Sequence, residues 1–534
     1  MPVRVDHRPA LRIVTLLAVA NIGLGSSLAV PGGADDARAA SKDRPNIILI
    51  QTDDQTLTQL NRRVMPRTRD LLVRHGTRFT NYIATTAQCC PSRASLLTGQ
   101  YAHNHGVTSN QDGYPGLVDK GNVLPVWLQQ AGYRTIHLGK FLNGYNRFAT
   151  PDSVVAPGWD VWRTVLADAR YYNYDYFVNG RSVHRGRHRV DNLTSVLDRD
   201  ATRLAGHYAK RRRPFYLQLD ERAPHIDYHQ RDPFGNCAHA AIPQPVDEGR
   251  FRGARPPKPP SYNENDISDK PPFLQSAPKL GPRYRRQIAK RWRCAIESLV
   301  GVDRTVAHVY EAVKKAGDLG RTVFMFLSDN GQFYGEHRVR VGKVFPYEEA
   351  LHLPLVMRVP KRYRDGARRL KHTAKPVANI DLAPTILRLA GASPCAPGEG
   401  CRTMDGRSLT PILKRTGRWP RGRGLLTEYK VPDLPRYSTC RFAGIRTRHE
   451  IYVEHYRVVD PDTGECVDAN PPEVERYNLK SDRFELRNLC FGGTVSSCPR
   501  GAEQVDLETR LAKLRDCAGV AGRDERVDGH PFCE

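Results

Sequence analysis

The sequence predicts an α/β fold: a large, mostly parallel central sheet with helices on both faces, plus a smaller C-terminal antiparallel sheet carrying one helix. Short continuous apolar runs recur at 47–51, 133–138, 215–219, 323–327 and 355–359. Runs of this kind suit strands buried on both faces of a parallel sheet. Helical patterns alternate with them at 65–74, 124–130, 196–210, 284–315 and 380–389, several closed by glycine. After about residue 420 the pattern changes: 424–429, 442–446 and 450–455 read as short strands, followed by 476–479 and a helix over 506–514.

In chain order, residues 1–39 read as a signal peptide. Arg4, His7, Arg8 and Arg12 precede the apolar run from Ile13 to Leu24, and Ala37-Arg38-Ala39 offers a small-residue cleavage site. The run is interrupted by Asn21 and Gly23 and is too short for a stable membrane span, so a secreted, extracellular protein is expected, with an uncleaved anchor as the alternative. Residues 40–420 then form the catalytic domain and 421–534 a C-terminal subdomain. The Pro-rich polar stretch at 243–282 is longer than an ordinary connection and reads as a surface excursion near the active-site rim. Asn192-Leu193-Thr194 is a glycosylation sequon by pattern alone.

Composition excludes a disordered chain: 40% of the 534 residues are hydrophobic and 26% charged. The net charge is +25, and +24 without the signal segment, which holds four Arg against three Asp. A surface this basic suits polyanions, sulfated glycans among them. Twelve cysteines in an exported chain indicate disulfides. Cys89 and Cys90 set aside, ten remain, six of them beyond residue 430. Cys395 with Cys401 and Cys490 with Cys498 are plausible local closures.

Two acidic clusters end buried strands. Asp53-Asp54 follows the first, and Ser328-Asp329-Asn330-Gly331 follows the run at 323–327. Successive side chains of a strand point to opposite faces, so neighbouring carboxylates share an ion only where the chain turns. Three carboxylates and one amide carbonyl are hard oxygen donors, suited to Ca2+ or Mg2+ rather than Zn2+. Cys89-Cys90-Pro91-Ser92-Arg93, followed by Leu97-Thr98-Gly99, is the remaining prominent motif.

This cysteine motif resembles the signature Cys-x-Pro-Ser-Arg of the type I sulfatases, whose first cysteine is oxidised to formylglycine. The resemblance covers nearly the whole mature chain. Pro45-Asn46-Ile47-Ile48 leading to Thr52-Asp53-Asp54, Gly139-Lys140, Ala223-Pro224-His225, Asp329-Asn330-Gly331 and Gly335-Glu336-His337 through Gly342-Lys343 stand in the family's order. It implies an alkaline-phosphatase-like fold and one Ca2+ held by Asp53, Asp54, Asp329 and Asn330 with the modified Cys89. Arg93, Lys140, His225 and Lys343 would surround a sulfate. One hydroxyl of hydrated formylglycine would attack sulfur, and the second would expel sulfate by re-forming the aldehyde. Lys140 and Lys343 would neutralise charge building on sulfate oxygens, and His225 or Lys343 would protonate the leaving alcohol.

Many sulfatases carry Trp-His after the Gly-Lys pair, whereas Phe141-Leu142 stands here. What that histidine contributes is either absent here or supplied elsewhere, with His137 and His337 as candidates. The variant resembles the branch of N-acetylglucosamine-6-sulfatases and heparan endosulfatases, as do Cys89-Cys90, His103-Asn104-His105 and Pro157-Gly158-Trp159. The resemblance therefore implies a sulfated small molecule or glycan as substrate and a formylglycine-generating enzyme as maturation partner, with no nucleic acid. An arylsulfatase, a phosphonate monoester hydrolase or phosphodiesterase, and a non-catalytic polyanion-binding protein are the competing readings. A structural role is expected for His103 and His105.

Overall fold

The computed structural model describes residues 44–145, 155–165, 170–228, 231–340, 342–417, 419–430 and 438–534, so the predicted signal segment lies outside the described residues. Ten strands form the main sheet: β1 (Asn46–Thr52), β2 (Thr77–Phe79), β3 (Arg134–Lys140), β4 (Val161–Val165), β5 (Tyr174–Val178), β6 (Arg181–Arg185), β7 (Phe215–Asp220), β8 (Thr322–Ser328), β9 (Leu355–Arg358) and β10 (His372–Thr373). Their order is β10-β2-β9-β8-β1-β7-β3-β4-β5-β6. The five central strands, β8 through β4 in that order, run parallel. Antiparallel pairings flank them on both sides.

All seven residues of β1 are buried, as its apolar run requires of a central strand. Its side chains alternate between two cores. Ile48 and Ile50 join the core containing α3 (Leu193–Ala209) and α4 (Pro282–Lys315), while Ile47 and Leu49 join the core containing α1 (Cys89–Thr98), α2 (Leu124–Gln130) and α5 (Leu382–Ala390). Register aligns the carboxyl ends: Gln51 pairs with Asp220 on one side, and Thr52 with Ser328 on the other. The strands thus deliver Asp53, Asp220 and Asp329 to one edge.

The C-terminal sheet comprises β11 (Leu425–Lys430), β12 (Thr439–Arg446), β13 (Glu450–Val459) and β14 (Cys466–Asn478), all antiparallel. The helix α6 (Ala502–Leu514) buries Leu507, Leu511 and Leu514 in a core shared with Leu425, Ile445 and Tyr452. The predicted fold class is the one observed. Strands β2, β4, β5, β6 and β10 escaped the sequence reading. In β6 four of five residues are exposed, so no apolar run marks it.

The stretch 243–282 is more deeply set than a surface excursion. Phe251, Ile267, Phe273 and Leu274 are buried, and Asn263 N donates to the Gly335 carbonyl at 2.7 Å. Disulfides join Cys237 to Cys294, Cys395 to Cys401, Cys440 to Cys466, Cys490 to Cys498 and Cys517 to Cys533, leaving Cys89 and Cys90 free. Asn192 is fully buried and donates to the Pro243 carbonyl, which removes the sequon from the folded surface. No described helix is long and apolar enough to cross a membrane.

Candidate active site

Asp53 leaves β1 in line with the strand, and Asp54 turns. Its φ of 70° lies in the left-handed region, uncommon for a residue with a Cβ, and this turn lets two consecutive carboxylates face one point. Asp54 N donates to Asp329 Oδ1 at 3.2 Å, and Asn330 Nδ2 donates to Asp54 Oδ1 at 2.6 Å. The clusters at the ends of β1 and β8 are therefore in direct contact. Cys89 opens α1, where free backbone N–H groups favour negative charge. Its Sγ lies 3.3 Å from Asp53 Oδ1. One ligand atom each of Asp53, Asp54, Cys89 and His225 lies within 4.8 Å of the others.

Cations enclose this acidic centre. Lys140 Nζ donates to Asp53 Oδ2 at 2.5 Å, and Lys343 Nζ donates to Asp54 Oδ1 and, at 2.9 Å, to Cys89 Sγ. Arg93, one turn along α1, reaches Asp329 Oδ2 at 2.8 and 2.9 Å, Asp220 Oδ1 at 3.2 Å and the Lys140 carbonyl at 3.1 Å. Lys140 is aimed by its predecessor. Gly139 has φ 99°, and a Cβ there would sit 2.0 Å from the Asp220 carbonyl oxygen, so β3 passes β7 too closely for any side chain. Val344, next to Lys343, holds φ 82°, an outlier for a β-branched residue, and its N–H donates to the Ala87 carbonyl.

Burial drives the electrostatics. It works against the Asp53 charge, but Lys140, His225, Lys343 and Arg93 outweigh it and hold that carboxyl well below the usual range. Burial and the neighbouring Asp53 charge raise Asp329 to about 6. Burial, reinforced by Asp53, raises the Cys89 thiol to about 12, so the unmodified side chain stays a neutral thiol. Burial together with Lys140 and Lys343 pushes His225 well below its ordinary value. His225 Nδ1 lies 2.7 Å from the Ile226 carbonyl and so carries the proton, leaving Nε2 facing Asp54 at 3.8 Å.

Every predicted site residue converges: Asp53, Asp54, Cys89, Arg93, Lys140, His225, Asp329, Asn330 and Lys343 are linked by the contacts above. Neither histidine considered for the absent Trp-His position joins them directly. His137 is buried against Phe141, Trp159 and Trp162, and its Nε2 meets Asp220 Oδ2 at 3.1 Å. His337 Nδ1 is bound to Glu264 Oε2 at 2.7 Å. Sequence reasoning missed Asp220, which joins His137 to Arg93. Its signal was present: Asp220 ends the apolar run at 215–219 just as Asp53 and Asp329 end theirs. Asn379 was missed as well; its Nδ2 donates to Ser92, whose Oγ in turn donates to the Asp329 carbonyl.

The donor set fits a hard divalent cation. Three carboxylates and an amide converge, and the buried Asn330 Oδ1 has no hydrogen-bond partner.

Comparison with known proteins agrees with this geometry. The Sulfatase family model matches residues 45–392, and that of the N-sulphoglucosamine sulphohydrolase C-terminal region matches 335–493. Human N-acetylglucosamine-6-sulfatase is 30% identical over 570 residues, covering 98% of this chain and 92% of that protein. The Drosophila melanogaster extracellular sulfatase SULF-1 homolog is 32% identical over 397 residues; this covers 72% of the chain but only 33% of the fly protein. A structure solved in complex with its substrate D-glucosamine-2-N,6-O-disulfate superimposes with a TM-score of 0.65 at 23% identity, covering 88% of this chain and 97% of that one. With half the chain and more under one family model, and the site's elements in place, the chain belongs to the sulfatase family, in the branch that holds the N-acetylglucosamine-6-sulfatases.

Proposed function

We propose that the protein is an exported, formylglycine- and Ca2+-dependent sulfatase that removes sulfate from sulfated sugars. The observation that carries the reading is the convergence of Cys89 with Asp53, Asp54, Asp329 and Asn330 inside a ring of buried cations. Similarity to the human N-acetylglucosamine-6-sulfatase over 98% of the chain supports the sugar class. Five disulfides accord with an oxidising compartment and with export. A formylglycine-generating enzyme is the expected maturation partner.

Asp53, Asp54, Asp329 and Asn330 would hold Ca2+, which supplies Lewis-acid polarisation of a sulfate oxygen. Conversion of Cys89 to formylglycine supplies a hydrated aldehyde, a nucleophile with its own release step. The chain's residues do the rest. Lys140 and Lys343 now bind carboxylates through long flexible stems. On substrate entry they turn their ammonium groups to the sulfate oxygens, where charge grows in the transition state. Arg93 keeps Asp329 and the Lys140 backbone in register, and Asp220 with His137 steadies Arg93 from behind. His225 presents Nε2 toward the site while Nδ1 is fixed by the Ile226 carbonyl, an orientation in which Nε2, once it has taken up a proton, can pass it to the leaving alcohol.

Mass spectrometry of the tryptic peptide from Phe79 to Arg93 tests the nucleophile: an aldehyde in place of one thiol is expected. Assays of N-acetylglucosamine 6-sulfate, an aryl sulfate and an aryl phosphodiester, run side by side, test the substrate. Faster turnover of the phosphodiester would overturn the reading. So would unoxidised cysteine at position 89 in active protein.

A further inference from the structure

Beyond Asp329-Asn330 the chain builds a second, separate cluster. His337, Glu349 and Glu485 each offer one ligand atom within 4.8 Å of the others. They come from the Gly335-Glu336-His337 loop, the turn after Tyr347 and the segment following β14. His337 and Glu485 are fully buried, while Glu349 lines a cavity of about 740 Å3 that also touches Thr56, Trp292 and Arg446.

The hydrogen bonding divides each side chain in two. His337 Nδ1 is bound to Glu264 Oε2 at 2.7 Å, Glu349 Oε1 accepts from Ser261 Oγ at 3.1 Å, and Glu485 Oε2 accepts from Glu348 N at 2.9 Å. The opposite atoms, His337 Nε2, Glu349 Oε2 and Glu485 Oε1, are all buried without a hydrogen-bond partner. His337 Nε2 and Glu349 Oε2 face each other at 3.7 Å, too far for a hydrogen bond. Unmatched buried polar atoms are costly, and three on residues whose ligand groups lie within 4.8 Å of one another call for a shared partner. Among the described residues no lysine or arginine supplies it. Lys270 pairs with Glu264 and Asp269, and Arg446 with Glu348.

One imidazole nitrogen and two carboxylate oxygens form a mixed set suited to a borderline divalent ion. The carboxylate behind His337 is the support that metal-bound histidines ordinarily have, since it fixes the tautomer with Nε2 free. We propose that His337, Glu349 and Glu485 form a second divalent-cation site of the Zn2+ class, which fastens the C-terminal segment to the loop leading to Lys343. The ion would be structural, because none of its ligands touches Cys89 or the cations Arg93, Lys140 and Lys343. The cavity beside Glu349 provides the entry path.

The test uses the full mature protein, stripped with a chelator and titrated calorimetrically with Zn2+ alone. Wild type is compared with Glu349→Ala, Glu485→Gln and Asp54→Asn. Asp54→Asn should retain one Zn2+ equivalent and the rise in Tm that accompanies it. Glu349→Ala should weaken that equivalent by about 100-fold or more, on the scale of losing a ligand outright rather than its support. Glu349 is partly exposed, so this variant keeps the test alive if Glu485→Gln fails to fold. Equal binding by wild type and Glu349→Ala overturns the site. So does loss of all Zn2+ in Asp54→Asn, or an unbound wild type in which His337 is an imidazolium between Glu264 and Glu349.

Discussion

The edge of the main sheet and the seam where the C-terminal sheet meets it both bury many charges, but they compensate them differently. At the sheet edge, Asp53 and Asp54 are neutralised by Lys140 and Lys343, single ammonium groups on four-carbon stems. At the seam, Arg423 grips Asp381 with two bonds of 2.7 and 2.8 Å and also reaches Glu534, while Arg446 grips Glu348 at 2.8 and 3.0 Å. A bidentate guanidinium is fixed in plane and direction, whereas an ammonium is a point charge free to re-aim. The first arrangement leaves cations available to a ligand. The second holds two pieces of protein together.

Removing charge from each region should therefore separate activity from stability. The largest effect is expected for Cys89→Ala, with turnover down about 10⁴-fold or more and an unchanged Tm, as measured by steady-state kinetics beside thermal unfolding. Retained turnover would break the comparison at its root. Lys140→Ala or Lys343→Ala should lower kcat by about 10²–10³-fold, with little loss of stability in the Ca2+-loaded protein, where the ion would still neutralise Asp53 and Asp54. A large fall in Tm would place these lysines with the structural pairs.

Arg423→Ala should do the reverse. It leaves the buried Asp381 without its partner, at a cost of about 3–5 kcal/mol in chemical denaturation, while the kcat of the folded fraction stays close to wild type.

A smaller effect comes from His103, which bridges Glu428 and the Cys517 carbonyl across the seam. Burial opposes its charge, but Glu428 and that carbonyl outweigh burial and raise it to about 9. A pKa raised on folding stabilises below the unfolded value near 6.5 and is lost as pH rises through about 9. Stability should thus fall by roughly 1–3 kcal/mol between those limits, and His103→Gln should flatten that slope. Cys90→Ala, which removes a thiol accepting from Asn143 N, should cost about 1 kcal/mol and leave formylglycine formation intact.

Much of this was legible in the sequence because parallel central strands cannot hide. Asn46–Thr52 and Thr322–Ser328 are buried throughout around apolar centres, and Asp53-Asp54 after the first and Asp329-Asn330 after the second mark the edge where sites form. The family motifs then joined segments almost 300 residues apart. What stayed hidden had no such pattern. Arg181–Arg185 is an exposed edge strand, and His137 lies inside an apolar strand with nothing to show that Asp220 would meet it. Neither the His137 nor the His337 ring lies directly against the Lys140 ammonium, because strand alternation and loop path, rather than closeness in sequence, decide what a ring can touch.

Gly139 carries a consequence for anyone who would engineer this enzyme. Since the Asp220 carbonyl oxygen lies 2.0 Å from where a methyl would stand, even alanine would push two neighbouring strands apart and swing the following ammonium off target. A saturation library read out by turnover should reject every replacement at this position as firmly as at Cys89, although glycine contributes no functional group of its own.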